Sequence, residues 1–511
     1  MKKQVFIGFI FLAIIILFSC GKEKEEKSVE DLFYPLDESI VKVDVPQVSW
    51  EESIAVVPPD DQQDHIQDDP FSILFHAELV SRLSETAEFK IVTPPTEEWI
   101  DQENLKVDYI LKNKRERDRW MLQLVSTQND SVLWADYHRT DAESILTVTE
   151  QVSANITTLL KGDYDRIYPL EETAATPQIT ELYLEAKSHL LRGTREEIDL
   201  AVEKFKTILR IDTTYTPAYL GLAESYLKIT NDLSDPNPVW LRLAQDASLK
   251  AVQLDPNLGE GYLRLGQVYL ARGDFLHAEQ AFRQTVKINA NAEEAWIGLG
   301  QIYSHFGLYQ PCLEVYDRAL SLNPADASVL LSRALIHIGF TQYREAEEDI
   351  QRLLRIHPED LFYHSFLGLV LYYQNHFTGA LNALRTGVQS DAYRSFSHAV
   401  LGMVYAKQGL LDDALAEVEL EVKPYVGHDG SLATAVAAVY TLIRQNGQAV
   451  QWLEKAVDWG YREYPWLAND PNFIDLHQDE RFVTLLTRIK AVWEENMRLY
   501  SPEGYTYQNE N

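Results

Sequence analysis

The feature that most constrains this chain is a register. Gly266, Gly300, Ala334, Gly368 and Gly402 stand 34 residues apart without a slip. Ala278, Cys312, Ala346, Ala380 and Ala414 keep the same interval. So do Phe282, Tyr316, Ile350, Leu384 and Val418, and Pro324 and Pro358 form a fourth series. A fixed period of this length means one supersecondary unit copied and stacked, because a single copy cannot bury its apolar face alone. The small residues let two antiparallel helices approach closely. The large apolar residue fills the gap to the next unit. Proline ends the second helix, since it has no N–H to continue the ladder. Degenerate copies flank the regular ones: Ala186, Ala201 and Phe205 in one, and Tyr219, Ala223, Tyr226, Ala244, Ala251 and Pro256 in the next, with an insert near 231–239. Ala437, Tyr440, Ala449, Leu453 and Ala456 mark a last one. The pattern predicts about eight helix pairs over residues 181–460.

One unit reads Trp296-x-x-Leu299-Gly300-x-x-Tyr303, then Gly307, Cys312, Tyr316, Ala319 and Pro324. This resembles the tetratricopeptide repeat (TPR). The resemblance implies an α-solenoid that docks other proteins or peptides along a wall formed by the first helix of each repeat. The family's ligand-contacting positions fall here on Leu263, Gln267 and Leu270; on Ile297, Gln301 and His305; and on Leu331, Leu335 and Ile338. They continue on Phe362, Leu369, Tyr372 and Tyr373, then Phe396 and Met403. The Lys/Asn set that clamps a terminal carboxylate in chaperone-binding repeats is absent. The expectation is a groove for an apolar or aromatic peptide or a partner helix. The alternative is that these side chains are covered by the α/β domain or by the neighbouring coil of the superhelix.

Ahead of the array, residues 51–163 alternate strand and helix signals. Ser53-Ile54-Ala55-Val56-Val57 is an apolar run stopped by Pro58-Pro59. Phe71 to Leu83 has helical spacing, Phe89 to Val92 is a second strand, and Glu97 to Glu103 can form a short helix. Three strands follow around Tyr109–Leu111, Trp120–Val125 and Ser131–Ala135, and Asp141 to Leu160 is an amphipathic helix. The order β-α-β-α-β-β-β-α predicts a small two-layer α/β domain. Together with the array this gives an α+β, mostly α chain. Ser53–Pro58, Val107–Leu111, Gln123–Val125 and Leu133–Tyr137 resemble the TolB-N-like or FlgO-like domain that precedes TPRs in many bacterial envelope and signalling proteins. That family brings no catalytic residues with it. Residues 164–180 read as a linker, 461–494 as a segment that caps the last repeat, and 495–511 as a loose tail.

Met1-Lys2-Lys3 followed by the apolar run Val5–Phe18 is a secretory signal, too short at 14 residues for the ~20 that span a bilayer. It ends in Leu17-Phe18-Ser19-Cys20-Gly21, which resembles a bacterial lipobox. The resemblance implies cleavage after residue 19, lipidation of the Cys20 thiol and acylation of the new amino terminus. Each buried CH₂ contributes about 0.8 kcal/mol, so several acyl chains hold essentially permanently. Gly21 in place of an aspartate favours the outer membrane. Residues 21–50 are Lys/Glu-rich and aperiodic, and read as a solvated tether.

Composition closes off other classes. Asp+Glu is 78 against Lys+Arg 46, a net charge of -32, which disfavours nucleic acid as a partner. Two cysteines, Cys20 and Cys312, allow no disulfide framework and no cysteine-based metal site. Cys312 takes the place of a packing alanine and is expected to be buried and inert. No HExxH, GxSxG, P-loop or EF-hand pattern occurs, so neither catalytic residues nor metal ligands nor a cofactor are expected. His337, His364 and His398 sit at repeat positions and read as hydrogen-bonded structural side chains. No small-molecule substrate is evident. The sequence points to a lipid-anchored, non-enzymatic scaffold of the bacterial envelope with protein or peptide partners. The alternative is an envelope sensor related to TPR-containing cyclase or transcription-regulator sensors.

Overall fold

A computed structural model of the chain describes residues 50, 52–59, 70–86, 88–96, 99–100, 105–116, 119–139, 145–161, 177–230 and 237–500. The expected signal segment 1–20 with Cys20, nearly all of the tether 21–50, residues 164–176 of the linker and residues 501–511 lie outside the described residues. The described chain falls into two compact units. The amino-terminal one runs to Leu299 and takes in Arg318–Pro324; the carboxy-terminal one comprises Gly300–Asp317 and Ala325 onward.

The amino-terminal unit opens with a five-stranded sheet in the order β2-β1-β3-β4-β5. Its strands are β1 (Ser53–Val56), β2 (Lys90–Val92), β3 (Tyr109–Glu116), β4 (Arg119–Ser126) and β5 (Val132–Arg139). β1 is parallel to both neighbours, pairing Ile54 with Ile91 and with Tyr109. β3, β4 and β5 are antiparallel, with Leu111 opposite Leu124. Period-2 alternation divides β1. Ile54 and Val56 enter the main core under helices α1 (Pro70–Glu85) and α2 (Ile145–Leu160), while Ala55 and Val57 face a smaller cluster with Val92, Ile100 and Val107. Phe75 of α1 stacks on Trp120 of β4 at 4.5 Å. Of the short helix expected over 97–103, Trp99 and Ile100 are described, helical and buried.

Eight helix pairs follow among the described residues. The first four are α3 (Pro177–Arg192) with α4 (Arg195–Ile211), α5 (Thr216–Thr230) with α6 (Val239–Leu254), α7 (Gly259–Ala271) with α8 (Phe275–Ile288), and α9 (Glu293–His305) with α10 (Tyr309–Leu322). Then come α11 (Ala327–Gly339) with α12 (Tyr343–Ile356), α13 (Tyr363–Tyr373) with α14 (Phe377–Gly387), α15 (Arg394–Lys407) with α16 (Leu411–Ala416), and α17 (Gly430–Leu442) with α18 (Asn446–Asp458). The helix α16 continues as one π-helical stretch, Glu417–Val422, that buries Val418 and Val422. Helix starts are capped by side-chain carboxylates: Asp274, Asp326 and Asp429 each accept the backbone N–H three residues on.

The 34-residue register has a direct physical reading at Phe282. Its ring packs against Gly266 of its own repeat and Gly298 of the next. A Cβ at either glycine would stand 2.6 or 2.4 Å from that ring. One aromatic side chain thus sets both the spacing within a hairpin and the spacing to its neighbour. Burying such a ring contributes about 1.5–3 kcal/mol.

The array starts at Pro177, inside the expected linker. Beyond it lie α19 (Tyr464–Asn469), a 3₁₀ stretch Pro471–Leu476, and α20 (Glu480–Tyr500). The terminal helix therefore runs six residues past 494 into the expected tail. Its buried Trp493 and Tyr500 hold it there.

Candidate functional site

The wall formed by the first helices is where the repeat geometry places docking side chains. In the amino-terminal unit it carries α3, α5, α7 and the start of α9. It is lined by a ladder of opposite charges rather than an apolar surface. Lys187 of α3 reaches Glu224 of α5 at 3.1 Å, and Lys228 lies 3.8 Å from the same carboxylate. Arg264 of α7 meets Glu260 at 3.1 Å, Glu224 at 3.9 Å and Glu294 of α9 at 3.4 Å. Gln267 donates to Glu294 at 2.8 Å. Burial alone would raise the Glu224 carboxyl, but Lys187, Arg264 and Lys228 outweigh it and hold it down at about 2. Glu224 in turn raises Lys187.

The α/β domain lies against this ladder. Its helix α1 packs on α3, and Leu184 of α3 is part of the domain's own core. Arg82 of α1 bonds Glu78 at 3.1 Å. Tyr183, between α1 and the ladder, is pushed well above its ordinary value, first by burial and then by Glu78 and Glu260. At the sheet's β2 edge, Asn291 accepts the Ile91 N–H at 3.0 Å and donates to the Phe89 carbonyl at 2.8 Å. The Thr93 N–H donates to the Leu322 carbonyl at 2.8 Å. The repeat loops therefore satisfy an edge strand that would otherwise present unpaired backbone groups.

In the carboxy-terminal unit the turn ends of the helix pairs are aromatic, and the chain's own terminal strap, residues 461–500, lies over them. Trp493 of α20 donates to the Gly307 carbonyl at 3.0 Å, and Tyr500 stacks on Phe306 at 4.5 Å. Pro465 of α19 touches Gly307, and Trp466 and Tyr309 crowd Gly339. Tyr309 donates to Glu463 at 2.9 Å. Tyr373 donates to Asp470 at 3.0 Å, and Tyr372 donates to Asn472. Tyr343 stacks on Tyr373 at 5.4 Å. Burial drives the Glu463 carboxyl up to about 6 against the opposing pull of the Tyr309 and Tyr461 hydroxyls. It drives Asp470 to about 6 as well, with the Asn472 N–H, Tyr373, Trp466 and the Lys407 charge pulling the other way. Two voids of about 10 Å³ remain under the strap, one beside Gly307 and Trp493 and one beside Tyr343 and Asp470. Each has room for roughly one water.

These placements correct the expectation of an open groove. Leu263, Leu331, Ile338, Phe362, Leu369, Tyr372 and Met403 are buried. Gln267, Leu270, Ile297, Gln301, His305, Leu335, Tyr373 and Phe396 are half-buried, and none of the fifteen expected lining residues is exposed. At Tyr372 and Tyr373 the cover is the strap. Its 3₁₀ stretch packs on α17 and α18 with Phe473 and Leu476 buried, and the segment also turns back to the ends of earlier first helices. The ladder of Lys187, Glu224, Arg264 and Glu294 was missed. Its sequence signal, cations on first helices, does not stand out among 46 basic and 78 acidic side chains.

The remaining side chains of interest are structural. Cys312 is fully buried, donates to the Gly300 carbonyl at 3.3 Å, and has its thiol pushed up by burial. His337 bonds Gln342 at 2.7 Å and His398 bonds Glu417 at 2.6 Å. Among the described residues no group of three or more His, Cys, Asp or Glu side chains is placed to hold a metal.

Residues 168–361 match the family described as tetratricopeptide repeat protein 21 C-terminal ARM domain, and residues 367–425 match a tetratricopeptide repeat family. The array is made of tetratricopeptide repeats. No curated protein matches the chain. Solved structures similar to it include a tetratricopeptide repeat protein from Parabacteroides merdae, at 16% identity over 53% of this chain and 99% of that one, with a TM-score of 0.40. Pseudomonas aeruginosa pilF aligns at 16% identity over 42% of this chain and 94% of its own, with a TM-score of 0.35. MamA aligns at 21% identity over 34% and 95%, with a TM-score of 0.28.

Proposed function

We propose that this protein is a lipid-anchored, non-catalytic scaffold of the bacterial envelope, with proteins or peptides as its partners. The observation that carries the reading is the stack of eight tetratricopeptide hairpins, a fold whose general use is docking other proteins. The Leu17–Gly21 lipobox supports attachment through Cys20, the run 21–50 supports a tether, and Gly21 supports the outer membrane. The five-stranded domain is read as the TolB-N-like or FlgO-like module of such proteins. Partners gain access either beside the strap or where it lifts. The test has two arms in intact cells. Incorporation of labelled palmitate is expected in the native chain and lost in Cys20→Ala. Crosslinking followed by mass spectrometry is expected to capture specific envelope proteins on the array. A soluble, unacylated native chain overturns the anchoring, and turnover of a substrate by the purified chain overturns the scaffold.

A second reading, an envelope sensor, is favoured by one observation. The α/β domain is not a loose appendage. Its core includes Leu184 of the first repeat and its edge strand is held by Asn291, so a ligand on the domain would be felt by the adjacent repeats.

A further inference from the structure

Glu463 and Asp470 flank the short helix α19, one at each end. Glu463 is half-buried and Asp470 is buried, and each accepts a hydrogen bond from a tyrosine of the array: Tyr309 for the first, Tyr373 for the second. Neither forms an ion pair among the described residues. When ionised in this place, each carboxylate has only neutral donors around it, with Lys407 at longer range beside Asp470. Lifting the strap returns both groups to water. The docked strap is therefore the state that prefers the neutral acids, and water prefers the anions.

We propose that residues 461–500 form an acid-held cover, closed over Tyr309, Tyr372 and Tyr373 while Glu463 and Asp470 are protonated and loosened as they ionise. The sign follows from linkage. For an acid raised from its ordinary 4.5 to about 6 on docking, the docked state suffers no penalty below about 4.5; the penalty grows through that interval and is complete above about 6. A shift of this size changes the docking equilibrium by roughly tenfold or more for each group. Other groups facing the pair do not reproduce this. Tyr343, Tyr372, Tyr373 and Tyr461 are all driven upward by burial and stay neutral. His305, near Arg462, is held down at about 4 by burial and is neutral across the window. Arg462, Arg488 and Lys407 are the nearby cations, Asp458 pairs with Arg488 at 3.8 Å, and His477 is exposed, with its ring 5.5 Å from Phe482. The cover is a property of the chain alone, so it can fail while the scaffold reading stands, and the reverse.

The test is hydrogen exchange of the full chain in detergent at about pH 5 and about pH 7.5, each corrected for intrinsic rates. Protection of the α20 amides is expected to fall roughly a hundredfold at the higher pH, about tenfold from each acid, while the α7 amides stay unchanged. The double variant Glu463→Gln with Asp470→Asn is expected to keep α20 protected at both values. Each single variant is expected to show about half the logarithmic drop. His477→Asn, which leaves the buried acids intact, is expected to keep the full drop. Equal α20 protection of the native chain at the two values overturns the proposal. So does a native-like drop in the double variant, or loss of the drop in His477→Asn.

Discussion

The two units solve one problem with opposite chemistry. Each has a wall of first helices that the repeat geometry turns toward a second layer, and each supplies that layer from within its own unit. In the amino-terminal unit the wall is charged, and Lys187, Glu224, Arg264 and Glu294 satisfy one another beside helix α1 of the α/β domain. In the carboxy-terminal unit the surface under the strap is aromatic, and Tyr309 at the start of a second helix and Tyr373 at the end of a first helix meet uncompensated acids of the strap. The contrast shows why burial alone does not decide what a carboxyl does. Glu224 and Glu463 are the same side chain in similar seclusion. Cations hold one at about 2, and their absence leaves the other at about 6. The first stabilises its unit at neutral pH; the second weakens its own.

Three substitutions sharpen or break this contrast. The largest effect is expected from Asn291→Ala. It strands the buried Ile91 N–H and Phe89 carbonyl, and an unmade buried hydrogen bond costs about 1–3 kcal/mol. Denaturant titration should show a loss of about 2–4 kcal/mol from these two groups. A loss near zero would mean that the β2 edge is not held by the array.

Next, Glu224→Gln should lower stability at pH 7 by about 2–3 kcal/mol, because it leaves Lys187 and Arg264 without their shared anion. The sign of the pH dependence follows. A depressed carboxyl contributes stability above its ordinary 4.5 and loses it as pH falls toward about 2, so the variant should differ from the native chain at pH 7 and converge with it in strong acid. The smallest effect, and the one of opposite sign, belongs to Glu463→Gln. Thermal unfolding at about pH 7.5 should show a gain of about 1–2 kcal/mol, vanishing below about pH 4.5. If both acid-to-amide changes move stability the same way, the contrast between the units is wrong.

The fold was legible where the information is local or periodic. The register from Gly266 to Gly402 fixed the hairpins, because a small residue opposite Phe282 or Tyr316 is a steric demand written into every copy. Strands such as Ser53–Val56 were legible from an apolar run and a proline stop. The covers were not. Tyr309 and Glu463 are 154 residues apart, and Trp493 and Gly307 are 186 apart. Nothing in Tyr464-Pro465-Trp466-Leu467 says which repeat it will touch, only that it is apolar and will touch something. The wall residues Tyr372 and Tyr373 looked like a docking surface for the same reason that the strap uses them: stacking area and a hydroxyl at its rim. The charge ladder was hidden by composition. In a chain with 78 acidic side chains, Glu224 is indistinguishable from a solvated surface residue until Lys187 and Arg264 are seen beside it.

The central claim is that the aromatic wall is occupied by the chain itself. Hydroxyl-radical footprinting of the full chain near pH 5 tests it most directly, with tyrosines as internal standards. Tyr316, in the repeat core, should be inert, and Tyr425, 70% exposed, should oxidise readily. Tyr309 and Tyr372 are expected to react as slowly as Tyr316. Oxidation of Tyr309 and Tyr372 at rates near that of Tyr425 would show an open wall and contradict the claim.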